Sequence, residues 1–240
     1  MALRSNILFI GFISTITCFV ALASDSNPIQ DFCVSQAKGS AGESVCKDPK
    51  TVNENDFFTT GLHVVGKTPN AAGVSVNLIN AARIPGLNTL GLSLARVDFA
   101  PFGVGPLHTH RASEILIVIE GTVRVGFVTS GPEYRGISKV LNRGDVFAFP
   151  EGIHHYSQNL GNSSGLGFTF FSSQNPEIYF FRNAVFGAKP EISADILAKS
   201  FRVNGNVIDE LQAPFKQMLR FQIHQQLANV VCYGCLSIAY

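Results

Sequence analysis

The 240-residue chain is 46% hydrophobic and 15% charged, with 18 Lys plus Arg against 17 Asp plus Glu. That composition builds a sizeable core and excludes a disordered chain. The near balance of charge excludes a strong field for gathering nucleic acid or anionic lipid. Twenty Phe, 22 Gly and 11 Pro, with no Trp and 2 Met, fit short strands alternating with turns rather than a helical bundle.

After Arg4 an uncharged, mostly apolar stretch runs from Ile7 to Leu22 and ends in Ala21-Leu22-Ala23, small residues where a signal peptidase cuts. Residues 1–23 therefore read as a cleaved secretory signal. The stretch is interrupted by Gly11, Ser14, Thr15 and Thr17 and falls short of the roughly 20 apolar residues of a membrane anchor. Cleavage removes Arg4, Cys18 and no acid, so the mature chain is formally neutral. Export places Cys33, Cys46, Cys232 and Cys235 in an oxidising compartment. Cys33 and Cys46 are the natural disulfide pair, closing a small loop rich in Ser, Gly and Ala. Cys232 and Cys235 form a CxxC without a surrounding βαβ pattern, read as a second disulfide or as two free thiols. Asn162-Ser163-Ser164, between Gly161 and Gly165, is an N-glycosylation acceptor in an exposed loop.

Residues 24–84 hold turn residues and brief apolar runs and read as an extended N-terminal arm. From Thr89 the texture is that of strands: Leu90, Leu92 and Leu94 alternate, Ile115 to Ile119 is continuously apolar, Val123, Val125 and Phe127 alternate, and Val146 to Phe149, Phe168, Phe170 and Ile178 to Phe181 follow. The predicted fold is all-β, a β-jelly-roll barrel over residues 85–188. Within 189–215 the period changes to that of two short helices, one with Ile192, Ile196 and Leu197 on a face and Ser193 as N-cap, the other with Val207, Ile208 and Leu211. Residues 216–240 form an apolar tail without a clean period.

Four of the six histidines fall into two tight pairs, His108 with His110 and His154 with His155. On an extended strand His108 and His110 point to one face, and Glu114 shares their parity. Two imidazoles and a carboxylate inside a barrel of aliphatic side chains are costly to bury without a divalent cation to satisfy them. A fourth donor is expected from the strand after Gly152, where only one of His154 and His155 can look inward. These donor types suit several first-row metals, including a closed, structural zinc site.

The residues between the pairs complete a resemblance. Gly103 to Gly121, "GVGPLHTHRASEILIVIEG", resembles the first cupin motif, and Gly144 to Asn159, "GDVFAFPEGIHHYSQN", the second. Within cupins the chain resembles the germin-like proteins of plants, through "IQDFCV", "NTLGLSLARVDFAP", "HTHRASE" and "SSQNPE", over roughly residues 29–213. The resemblance implies a jelly-roll barrel with C-terminal helices, interlocked dimers assembled into a homohexamer, and secretion to the cell wall. It selects His155 over His154 and implies manganese held by His108, His110, Glu114 and His155. Three departures stand out. Phe102 replaces the leading glycine of the first motif, with Gly103 following. The tail has no counterpart. Ala95 and Gly105 replace the asparagines that stand beside the metal in germins that oxidise oxalate.

Two function classes follow. One is a secreted manganese enzyme resembling superoxide dismutase, with oxalate oxidation disfavoured. The other is a non-catalytic cell-wall or hormone-binding protein whose metal stabilises the barrel.

Overall fold

The computed structural model describes residues 31–36 and 45–216. The expected signal 1–23, Cys18, Cys232, Cys235 and residues 217–240 lie outside the described residues. Two antiparallel five-stranded sheets face each other. The first has the spatial order β1 (Val74–Ile79), β2 (Ser93–Phe99), β9 (Gly165–Phe171), β4 (Glu114–Glu120), β7 (Val146–Phe149). The second has the order β10 (Tyr179–Phe180), β3 (Val104–Thr109), β8 (His155–Asn159), β5 (Val123–Val128), β6 (Gly136–Leu141). The chain crosses between sheets at almost every connection, which is the jelly-roll topology.

Alternation fills the space between the sheets. Val97, Phe99, Leu116, Val118, Val123, Val125, Leu141 and Phe149 form one buried cluster, each large side chain contributing about 1.5–3 kcal/mol on leaving water. Ile115 and Val146, of opposite parity, are exposed. In β9 the inward residues are Gly165, Gly167, Thr169 and Phe171, while the Phe168 and Phe170 of the sequence pattern face outward. Crowding explains this: a Cβ on Gly167 would sit 2.9 Å from Leu116 Cδ1.

The expected strand from Leu90 begins only at Ser93, and Leu90 and Leu92 are exposed. The barrel instead gains β1 from within the segment read as an arm, paired with β2 from Val74↔Phe99 to Ile79↔Leu94. The remainder of that segment packs as well. The Arg96–Asp98 ion pair (2.7 Å) on the outer face of β2 is capped by the chain at 62–66, where Arg96 donates to the Leu62 carbonyl (2.9 Å) and the Gly66 amide donates to Asp98 (2.9 Å). Cys33 and Cys46 are disulfide-bonded, Ser35 bridges Cys46, and Val34 is buried.

After β10 come α1 (Phe181–Phe186), α2 (Ala194–Phe201) and a helix α3 at 205–216. α1 falls where the sequence pattern continues as strand. Ser193 occupies the N-cap of α2 without a side-chain cap bond. Phe186, Leu197 and Ile208 form a core of their own. No helix among the described residues is long and apolar enough to cross a membrane.

Phe102 takes up the left-handed backbone that its missing glycine would favour, with φ +57°. The turn still closes, the Gly103 amide donating to the Ala100 carbonyl (3.0 Å).

Candidate metal centre

Antiparallel pairing carries four donors to one end of the barrel. His108 lies near the end of β3, opposite His155 at the start of β8, and His110 follows two residues later. Glu114 opens β4 in the other sheet, because the chain bends at residues 111–113 and crosses over. Strand parity thus names the carboxylate that joins the cluster by an incomplete route, since Glu114 faces the histidines from across the barrel. His154 is exposed, its ring against Phe181, whereas His155 is buried and stacked on Phe149 with centroids 4.5 Å apart. One ligand-type atom from each of His108, His110, Glu114 and His155 lies within 4.8 Å of the others.

Backbone carbonyls fix the tautomer of each imidazole. His108 Nδ1 is 2.6 Å from the Pro106 carbonyl, His155 Nδ1 is 2.9 Å from that of Ile153, and His110 Nδ1 meets that of Glu177. A carbonyl only accepts, so each Nδ1 carries hydrogen and each neutral ring turns the Nε2 lone pair to the centre. His155 and His110 Nε2 stand 3.1 and 3.3 Å from Glu114 Oε2. Lone pairs and a carboxylate at that range repel unless a cation, proton or metal ion, lies among them. Three imidazoles and one carboxylate that converge with their outer nitrogens tied suit a first-row divalent metal.

The electrostatics agree. In the metal-free chain protons play the part of that cation: burial pushes the Glu114 carboxyl up, yet the hydrogen bonds it accepts from His110 and His155 when Nε2 carries a proton, helped by Thr169, outweigh burial and hold the group well below the usual carboxylate range. Burial and then the neighbouring His155 ring push His108 down to about 4, so that ring is neutral and able to ligate at physiological pH.

Three parts of the site escape residue patterns. Thr169 donates to Glu114 Oε1 at 2.5 Å; its signal is a lone polar residue at inward parity in "GLGFTFF". The carbonyls of Pro106, Ile153 and Glu177 carry no residue signature. Beyond the donors a cavity of about 180 Å³ runs into the barrel, lined mainly by aliphatic and aromatic side chains. Gly105 is on its wall, while Ala95 is fully buried against Ala112 and Phe171. Neither position supplies a side-chain amide.

A family model described as Cupin matches residues 60–209. Germin-like protein 8-7 of Oryza sativa subsp. japonica is 48% identical over 219 residues, 90% of this chain and 97% of the relative. Germin-like protein subfamily 1 member 7 of Arabidopsis thaliana is 48% identical over 218 residues, 86% and 95%. A solved structure of oxalate oxidase is 37% identical with a TM-score of 0.75, covering 80% of this chain and 98% of that one. By fold, motifs and these likenesses, the chain belongs to the germin-like proteins of the cupin family.

Proposed function

We propose that the protein is a secreted, manganese-binding germin-like protein of the plant apoplast with superoxide dismutase-like activity and negligible oxalate oxidase activity. The observation that carries this reading is the convergence of three tautomer-fixed Nε2 lone pairs and the Glu114 carboxylate within 4.8 Å. His108, His110, Glu114 and His155 would hold the ion. The chemistry a bound manganese supplies is one-electron exchange between its divalent and trivalent states. The residues themselves supply the frame: the carbonyls hold the rings, Thr169 holds Glu114, and the Glu114 charge favours the higher oxidation state. Superoxide is small and needs no shaped pocket. Oxalate has carboxylate oxygens beyond the metal's reach that call for fixed donors, and losing one such donor typically costs about a hundredfold or more in rate. Ala95 and Gly105 offer none.

The disulfide and the exposed position of Asn162 support secretion with a glycan at that residue. Family membership supports assembly into a homohexamer. Manganese-loaded protein should dismute superoxide, and chelated protein and His110→Ala should not; equal rates in all three would reject the enzymatic reading. The second reading, a non-catalytic protein with a structural metal, is favoured by the apolar cavity and would then stand. Manganese-loaded protein should give no hydrogen peroxide from oxalate above the free-metal background.

A further inference from the structure

We propose that Asn88 and Gln174 are positioning residues that couple the metal centre to the Cys33–Cys46 disulfide, so that opening the disulfide weakens manganese binding. This rests on the metal reading above and adds a control on it. The segment 173–177 lies between the two. At one end the Glu177 carbonyl receives the His110 Nδ1 hydrogen, and the Pro176 carbonyl accepts from the Arg111 amide (3.2 Å). At the other the Ser93 hydroxyl donates to the Ser173 carbonyl (2.6 Å) and the Ala81 amide to the Gln174 carbonyl (3.2 Å). The Gln174 side chain accepts at Oε1 from the Thr89 amide and donates from Nε2 to Asn88 Oδ1 (3.1 Å). Asn88 is fully buried and donates from Nδ2 to Cys33 Sγ (3.3 Å).

Planarity carries the coupling. Each side-chain amide is a rigid plane, so the sulfur at one end of the Asn88 amide and Gln174 at the other do not move independently. Thr89 is held in the left-handed region, φ +67°, which a β-branched residue keeps only when its surroundings enforce it; the Gln174 hydrogen bond is part of that enforcement. The closed disulfide pins the same stretch from outside, the Ser35 amide donating to the Pro85 carbonyl (3.0 Å). Reduction by a dithiol passes two electrons and two protons to the S–S bond, which breaks to leave Cys33 and Cys46 as thiols while the reductant closes to its own disulfide. The two sulfurs part to van der Waals distance, Asn88 loses a fixed acceptor, and the added freedom reaches the carbonyl that aims His110. A metal that needs Nε2 at one point is held less tightly when the ring is aimed less firmly.

The test uses full-length secreted protein carrying Cys232→Ser and Cys235→Ser, so that Cys33–Cys46 is the disulfide the reductant meets. Competition titration with manganese, before and after reduction with dithiothreitol and its removal, should show about fivefold weaker binding in the reduced protein, the low end of couplings between separate sites, with circular dichroism unchanged. Reciprocity then requires manganese to lower the reduction potential of the disulfide by about 20 mV, the same fivefold for a two-electron couple, a shift that a merely structural disulfide would not show. Asn88→Leu and Gln174→Leu should each weaken manganese binding and make it equal in the two redox states. If neither variant folds, the redox dependence measured with both residues in place decides alone. Equal affinity before and after reduction, loss of the fold on reduction, or an undiminished redox effect in both leucine variants would overturn the proposal and leave the metal reading standing. Failure of the protein to hold manganese at all would overturn both.

Discussion

His110 is oriented by a backbone atom 67 residues away, the carbonyl of Glu177, which receives its Nδ1 hydrogen. Glu177 holds that carbonyl in place from a left-handed conformation, φ +43°, which a non-glycine residue keeps only when its surroundings enforce it. The enforcement is visible: Tyr179 donates to the Glu177 carboxylate, and Arg111 lies 4.0 Å from it and over the Tyr179 ring. Glu177→Ala removes the anchor and leaves all four donors intact. It should weaken manganese binding by about tenfold, within the range for partners of metal ligands; competition titration measures it, and an unchanged affinity would show that the carbonyl needs no such support.

Thr169→Val keeps the shape and deletes the hydroxyl that donates to Glu114 Oε1. The carboxylate oxygen is then buried with a partner lost, costing about 1–3 kcal/mol of stability and about 10- to 100-fold in metal affinity. Thermal unfolding and the same titration read both effects, and Thr169→Ser should recover most of the affinity.

Much of this site is legible in the sequence, and the limits have physical causes. HxH spacing singles out His108 and His110 and the Gly152 turn leaves His154 or His155, between which the family resemblance chooses, because metal ligation constrains residue type. Parity on one strand does not foresee that residues 111–113 cross the barrel, so Glu114, though it meets the histidines, is placed on the wrong sheet. The carbonyls that set tautomers are invisible because any residue carries one. Strand β1 is hidden in "VSVNLI" by the turn residues around it, and the face of β9 is inverted because glycines, not phenylalanines, fit against Leu116.

The metal-free protein should be acid-sensitive in a defined window. His108 is lowered to about 4 in the folded chain against about 6.5 when unfolded, so between those values the unfolded state binds more protons and stability falls as pH falls. Glu114, also lowered, adds loss of the same sign as pH drops through the ordinary carboxylate range and below. Unfolding midpoints of chelated protein from pH 7 to pH 4 should decline, and His108→Phe should flatten the upper part of the decline. A stability independent of pH across that range would contradict the assignment.

Phe102→Gly should stabilise the fold by about 1 kcal/mol, because φ +57° is strained for phenylalanine and free for glycine. The side chain is 61% exposed, so little packing is lost with it. A rise of about 2–4 °C in the unfolding midpoint is expected; a fall would show that the exposed ring contributes more than the strain costs.

The central claim is that His155, and not its neighbour, completes a metal centre with His108, His110 and Glu114. Metal analysis with EPR on protein from a secretory host, as unmodified chain, His154→Ala and His155→Ala, tests it most directly. One manganese per chain is expected in the first two, and loss of the ion in His155→Ala. Undiminished manganese in His155→Ala, or its loss in His154→Ala, would contradict the account.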